Sequence, residues 1–382
     1  MQTMRGYFDY NASSLLRPEA AAALSRWIDD GGGNPSSMHA RGRRARLAIE
    51  DARRQVAALA DGAVARDVVF TSGATESNNT VLRAFAVAHA QAPIVVSAVE
   101  HHSVLATADD LERQGRRIVR LAARPDATLD FSPLAALAAA EPVCLVSLGL
   151  ANGESGAVLD ADALLAACTP TTFVHLDVAQ AAGRLRIPFG RRIDALSMSG
   201  HKFGSPPGVG ALFLSERMRR VTRPLLTGGP QEWSLRAGTP NVPGIVAMGA
   251  AADASMQVRD AENVRLARLR DRLWQGVARA VPELLRITPA TGLANTLTIA
   301  VADCSADSLI AALDLAGFCI SAGSACAAGS PEPSHVMKAL ALAPQWHGGV
   351  LRISAGWSTD DADADALADA LVAIVRRARE AA

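Results

Sequence analysis

The sequence predicts an α/β fold: a large, mostly parallel sheet covered by helices, followed by a smaller α+β region. Three observations predict it. Short apolar runs of strand length alternate with helical stretches through most of the chain. A long helical pattern then covers residues 246–280. The last third loses the strand–helix rhythm.

Residues 41–60 read as an amphipathic helix, with Ala45, Ala48, Ile49, Ala52 and Val56 on one face. The apolar runs at 68–70, 94–96, 144–148, 173–176, 195–198 and 210–214 read as buried strands. Helical stretches at 75–90 and 103–114 lie between them, and this alternation implies a sheet covered on both faces. After the long helix come a strand at 295–300, a helix at 306–316, a strand at 351–354 and a closing helix at 360–377. We expect a large domain over residues 13–256 and a small one from 1–12 plus 257–382. No internal repeat or low-complexity tract interrupts them.

Composition narrows the function classes. Lys plus Arg and Asp plus Glu both number 38 in 382 residues, so the formal net charge is zero. That leaves no electrostatic reason to expect a nucleic-acid or anionic-membrane partner. The five cysteines are odd in number and none has C-x-x-C spacing, which argues against a disulfide framework or a metal site. No apolar run reaches the ~18 residues of a membrane span. The start MQTMRGYFDYN has no apolar signal region, so a cytoplasmic protein is expected. Lysine occurs only twice, at Lys202 and Lys338. A lysine kept in an arginine-rich chain points to amine chemistry, which a guanidinium cannot perform.

The predicted strand at 173–176 contains His175 and leads into Asp177, with Gln180 just beyond. The strand at 195–198 leads into Ser199, His201 and Lys202. Ligands of open α/β sheets sit at the carboxyl ends of strands, so these two bring an acid and a lysine to one crevice. Pyridoxal phosphate (PLP) needs that pair: a lysine for the Schiff base and a carboxylate to keep the pyridine nitrogen protonated. Taken singly, an ordinary strand-end Asp and a surface Lys explain these residues as well. Upstream, the segment TSGATESNN (71–79) joins a strand to a helix. Its backbone N–H groups and the Thr75 hydroxyl suit a phosphate, although a plain N-cap has the same signature. No G-K-[ST] follows, so it is not a Walker loop.

Among the cysteines, Cys326 lies in SAGSACAAGS (321–330), a small-residue stretch without apolar periodicity. It is predicted to be a loop able to carry a thiol into a site. Cys144, beside Leu145 and Val146, reads as a core cysteine. Cys168, Cys304 and Cys319 are read the same way.

Four segments together resemble the class V aminotransferase family, and within it the cysteine desulfurases: TSGATESNN (71–79), EHHSVL (100–105), HLDVAQAAG (175–183) and SMSGHKFG (197–204). The resemblance continues through GNPSSMHARG (33–42), RAGTPN (236–241), SACAAGSPEPSHV (324–336) and LRISAGW (351–357). It covers nearly the whole chain in one order. It implies the aspartate-aminotransferase-like fold (fold type I), PLP as cofactor and a homodimer. It also implies the residue roles: Lys202 forms the Schiff base, Asp177 pairs with the pyridine nitrogen, and His101 stacks on the ring and helps move protons. Gln180 approaches the ring hydroxyl. Ala74, Thr75, Ser199 and His201 hold the phosphate, and Thr239 reaches the phosphate of the other subunit. Arg352, helped by Asn34, clamps the substrate carboxylate.

The implied reaction converts L-cysteine to L-alanine and leaves a persulfide on Cys326. That sulfur is then supplied to an acceptor or scaffold protein for iron–sulfur cluster, cofactor or tRNA synthesis. Two departures stand out. The family usually has Asn-Asn-Glu where this chain has Asn152-Gly153-Glu154, so the ring hydroxyl loses a contact: either Asn152 or a water replaces it, or the ring is held more loosely. The run Phe203-Gly-Ser-Pro-Pro-Gly lacks the Tyr and Lys that tend to follow the Schiff-base lysine. Competing readings are a selenocysteine lyase, which the same residues would serve, and a class V transaminase, which needs no loop thiol. A reading of another class is an inactive scaffold in a sulfur-assembly complex.

Overall fold

The computed structural model describes residues 6–88, 91–323 and 334–380. Its larger sheet has seven strands in the order β2-β9-β8-β6-β5-β3-β4. These are β2 (Val68–Thr71), β3 (Ile94–Ser97), β4 (Ile118–Leu121), β5 (Leu145–Gly149), β6 (Phe173–Asp177), β8 (Ala195–Ser199) and β9 (Gly210–Leu214). A short parallel pair, β1 (Ala60–Asp61) with β7 (Ile187–Pro188), stands apart from it. β9 runs antiparallel to both its neighbours, while the pairs from β8 through β4 are parallel. β2 and β8 each oppose β9, so they point the same way. The carboxyl ends of β2, β3, β5, β6 and β8 therefore share one edge.

The central strands are apolar without alternation because helices cover both faces. On one face, Val81, Leu82 and Phe85 of α3 (Ala74–Ala88) pack with Val104, Ala108 and Leu111 of α4 (His102–Arg113). The other face carries α1 (Pro18–Asp29), α2 (Ala40–Ala57) and the first half of α8 (Val242–Ala280), through Ala20, Ala45, Ile49, Val56, Ile245 and Met248. The short helices α5 (Ser132–Ala140), α6 (Ala161–Ala167) and α7 (Glu216–Val221) fill the connections. α8 starts earlier than its apolar periodicity suggests. Asn241 caps it by accepting from Gly244 N at 3.2 Å, and a proline sits in its first turn.

The second sheet is antiparallel, in the order β10-β11-β13-β12: β10 (Leu284–Arg286), β11 (Thr296–Val301), β13 (Val350–Ser354) and β12 (Ser321–Ala322). Its core joins Leu266, Leu269 and Leu273 from the second half of α8 to Leu309 and Leu313 of α9 (Ala306–Leu315). Leu367 and Leu371 of α11 (Asp361–Glu380) complete it, and α10 (His335–Ala339) lies nearby in sequence. The N-terminal segment belongs to this side. Phe8 is in the same core, and bridges join Tyr7 to Cys319 and Asp9 to Ser354.

One expectation is corrected here. Cys144 and Cys168 are buried, but Cys304 is half-buried and Cys319 is exposed. Around Cys319 the chain is extended, so neighbouring side chains point opposite ways: Ile320 goes inward and Cys319 outward. Among the described residues no helix is long and apolar enough to cross a membrane.

Candidate active site

The shared carboxyl edge gathers the residues singled out by the sequence. Asp177 ends β6 and lies opposite Ser197 on β8, so the acid and the Ser199–Lys202 turn come from adjacent parallel strands. Asp177 is 8% exposed and accepts at both oxygens, from Asn78 Nδ2 at 2.7 Å and from Ala179 N at 2.9 Å. Asn78 also donates to Ser103 Oγ at 2.8 Å, and Ser103 Oγ lies 2.8 Å from His101 Nδ1. Since Ser103 accepts from Asn78, its own proton goes to His101 Nδ1. Nδ1 also accepts from Ser103 N at 3.1 Å. The neutral imidazole therefore carries its proton on Nε2, facing away from this chain. Burial holds the His101 pKa below its usual value; Asp177 opposes that shift and Lys202 adds to it. Beneath Asp177, His175 is fully buried between Ser147 and Ser197, and burial pushes its pKa down to about 4.

Next to this chain is Glu100. Its carboxyl accepts from Ser97 Oγ at 2.5 Å and from the main chain of Gly149. Burial, with Asp177 close by, lifts its pKa to about 8 despite those hydrogen bonds. Burial thus favours the neutral form of this carboxyl.

Lys202 Nζ donates to the carbonyls of Asn11 at 2.6 Å and Ala12 at 3.0 Å. The carbonyl of Asn11 also accepts from Gln180 Nε2 at 3.0 Å, and Gln180 Oε1 accepts from Arg184 Nη1 at 2.7 Å. Gln180 occupies the space that a side chain at position 153 would need, since a Cβ on Gly153 would meet its Nε2 at 2.7 Å. Asn152 does not fill that gap. Its Oδ1 accepts from Glu154 N and Ser155 N, and its Nδ2 donates to Val99 O, so its amide braces the turn after β5.

At the neighbouring corner, Ser199 Oγ accepts from Ala74 N at 2.7 Å, tying the start of α3 to the end of β8. Gly210 permits this approach, because a Cβ there would lie 2.5 Å from Gly73 Cα. His201 Nδ1 contacts Ser13 Oγ at 3.3 Å, and burial together with Lys202 lowers its pKa to about 4. Thr75 and Thr239 are exposed.

Arg352 rises from the middle of β13 and is 4% exposed. Nη2 donates to Asp9 Oδ1 at 2.8 Å, and Nη1 donates to the carbonyls of Gly153 at 3.3 Å and Gly323 at 3.4 Å. Its Nε is buried without a partner among the described residues. Asn34 is exposed and its Oδ1 accepts from Ser36 N at 2.9 Å; the hydrogen bonds of Arg352 go instead to Asp9, Gly153 and Gly323. Cys326 lies outside the described residues. Beyond that stretch, His335 Nε2 meets the carbonyl of Glu100 at 2.8 Å, and the His102 and His335 rings stand 4.6 Å apart. The chain after the cysteine segment thus returns beside His101.

The family model for aminotransferase class-V matches residues 6–367. This chain belongs to the class-V aminotransferase family. It is 40% identical over 380 residues to a cysteine desulfurase of Cereibacter sphaeroides, covering 98% of this chain and 97% of that protein. A solved NifS-like protein superposes with a TM-score of 0.90 at 28% identity, covering 98% of this chain and 100% of the other. A structure of SspA in complex with cysteine gives a TM-score of 0.79 at 28% identity, covering 91% and 98%.

Enzymes of this family use PLP, and the residues at the shared edge fit that group. The Asp177 carboxylate is an acceptor for a ring N–H, and the Asn78 Oδ1 beside it is buried without a partner among the described residues. The Gly73–Ala74 turn opens α3, where N-terminal N–H groups favour an anion. Motif reading missed Asn11, Asn78, Ser103, Glu100 and Arg184. Asn78, Ser103 and Glu100 sit inside recognised segments, so their polarity next to apolar runs was the available signal. Asn11 gave none, because its partners are distant in sequence, and Arg184 gave only its spacing of four from Gln180. Among the described residues, no group of three or more His, Cys, Asp or Glu side chains could hold a metal ion.

Proposed function

We propose that this chain is a PLP-dependent cysteine desulfurase that converts L-cysteine to L-alanine and retains the sulfur as a persulfide on Cys326. One observation carries the reading: the hydrogen-bonded line His101–Ser103–Asn78–Asp177 shares a sheet edge with Lys202. The relative and the cysteine-bound neighbour described above support the choice of substrate.

When bound, PLP supplies an electron sink for the carbon that bears the substrate amine. Lys202 would hold the cofactor through Nζ, Asp177 would take the pyridine N–H, and His101 would cover the ring. Gln180 would donate to the ring oxygen. Ala74, Thr75, Ser199 and His201 would receive the phosphate; His201 would donate from Nε2 in the tautomer whose Nδ1 accepts from Ser13 Oγ. Asn152 is read as a turn brace. Arg352 binds the substrate carboxylate through its guanidinium, while Asn34 remains a candidate helper. Lys202 Nζ would be the base that takes the proton from the substrate α carbon.

The Cys326 thiolate then attacks the substrate sulfur. An S–S bond forms, the carbon–sulfur bond breaks, and its electron pair ends as a C–H bond of alanine. No outside oxidant or reductant is needed. The persulfide passes to an acceptor or scaffold protein that serves iron–sulfur cluster, cofactor or tRNA synthesis. We read the assembly as a homodimer in which Thr239 reaches the partner subunit's phosphate; its exposure is compatible with that role. We also divide the chain into 13–256 and 1–12 plus 257–382. The two apolar cores that share α8 support that division. The test is incubation with L-cysteine and a thiol reductant. Alanine and sulfide should appear in equal amounts; absence of alanine from protein loaded with PLP would refute the assignment.

A further inference from the structure

Among the described residues, the Arg184 guanidinium donates to carbonyl and amide oxygens rather than to a carboxylate. Nη1 donates to Gln180 Oε1 at 2.7 Å, Asn11 Oδ1 at 3.2 Å and Gln180 O at 3.3 Å. Nη2 donates to Lys202 O at 3.1 Å and Tyr10 O at 3.3 Å. Desolvation, followed by Arg352 and Arg17, lowers its pKa to about 10, so it stays charged at physiological pH. Five oxygens from three segments therefore converge on one guanidinium. A cation held away from carboxylates is costly, and a residue used only for packing would not need it.

The contact with Gln180 has a directional consequence. A primary amide can present either its oxygen or its N–H₂ to a ligand. The guanidinium claims the oxygen, so the N–H₂ faces the opposite way, where one hydrogen meets Asn11 O. The missing side chain at Gly153 makes room for that orientation, since a Cβ there would meet Gln180 Nε2 at 2.7 Å. At the same time Nη2 fixes the main chain of Lys202.

We propose that Arg184 is a positioning residue for the lysine chemistry: it turns Gln180 to present a donor and anchors the backbone of Lys202. The proposal rests on the reading of Lys202 as the cofactor-bearing lysine. Arg184 thereby supplies, through Gln180, the ring-oxygen donor that Gly153 lacks. Both its charge and the donor it orients disfavour an extra proton on the lysine–cofactor linkage, so its loss raises the pKa of that linkage.

The test is a pH titration of the visible absorbance of the loaded protein. Arg184→Met should move the midpoint upward by about one unit or more, as removal of a nearby like charge does. Gln180→Leu should move it in the same direction. The double variant should shift by less than the sum, because the two side chains act as one unit. An unchanged midpoint in loaded Arg184→Met protein overturns the proposal. If Arg184→Met does not fold, Arg184→Lys serves. A shift in that variant that persists in full on the Gln180→Leu background likewise overturns it, whereas a reduced shift supports it. A wild-type protein with no visible band would instead refute the cofactor reading itself.

Discussion

Replacing Glu100 by Gln should make the stability of this protein less sensitive to rising pH between about pH 5 and pH 8. Glu100 is fully desolvated, and its carboxyl is pushed from 4.5 up to about 8. Below the unfolded value, both states hold the proton and the residue contributes no pH dependence. Between the two values the unfolded chain releases its proton while the folded chain keeps it, so stability falls as pH rises. Above the folded value both are ionised and the loss is complete. Each unit in that window costs ~1.4 kcal/mol, so about 4 kcal/mol disappears between roughly pH 5 and pH 8. Gln resembles the protonated acid in shape and cannot ionise. Urea unfolding of both proteins at several pH values isolates the term, since the other groups cancel in the difference. The stability of Glu100→Gln relative to wild type should rise by several kcal/mol across the window. A difference that stays constant with pH would show that Glu100 is ionised in the folded protein.

Lys202→Ala should lose the covalent PLP absorbance, and Lys338→Ala, altered at an exposed position on α10, should keep it; with only two lysines in the chain, the visible spectra of this pair nearly complete the test. Arg352→Ala should weaken L-cysteine binding by about 2–5 kcal/mol, the usual cost of losing one partner of a desolvated charge pair, while PLP binding changes little. Steady-state kinetics reads this as a KM raised by roughly thirtyfold or more, and an unchanged KM would move the clamp elsewhere. Asp9→Ala should lower folding stability by about 3–5 kcal/mol, because it leaves Arg352 a buried, unbalanced cation. A loss in urea unfolding well below that range would mean the pair is worth little.

The strands at the heart of the larger sheet were legible because burial on both faces writes itself as an apolar run, as in residues 195–198. The edge strand β4 was not. Its Ile-Val-Arg-Leu is buried only at its ends, and the run is broken by Arg120. The three-residue β10 has no fully buried position and so no pattern to find. At the site, Asp177 and Lys202 were readable because strand ends carry ligand chemistry and their strands are neighbours. The Asp9–Arg352 pair and the grip of Arg184 on Lys202 were not readable. The first joins residues 343 apart through the folded N-terminal segment, and the second runs from the turn after β6 to the turn after β8, to a main-chain carbonyl that no side-chain pattern reveals. Asn152 shows the opposite limit: its residue type suited a cofactor contact, but neighbouring main-chain groups took its amide first.

The most direct test of the account is to locate the sulfur after a single turnover. Wild-type protein loaded with PLP is mixed with L-cysteine without a reductant, quenched, digested and mapped by mass spectrometry, with alanine measured in parallel. The account predicts one added sulfur on the peptide that carries Cys326 for each alanine released, and neither product from Lys202→Ala. Extra sulfur on the exposed Cys319 instead, or alanine formed with no cysteine modified, would contradict it.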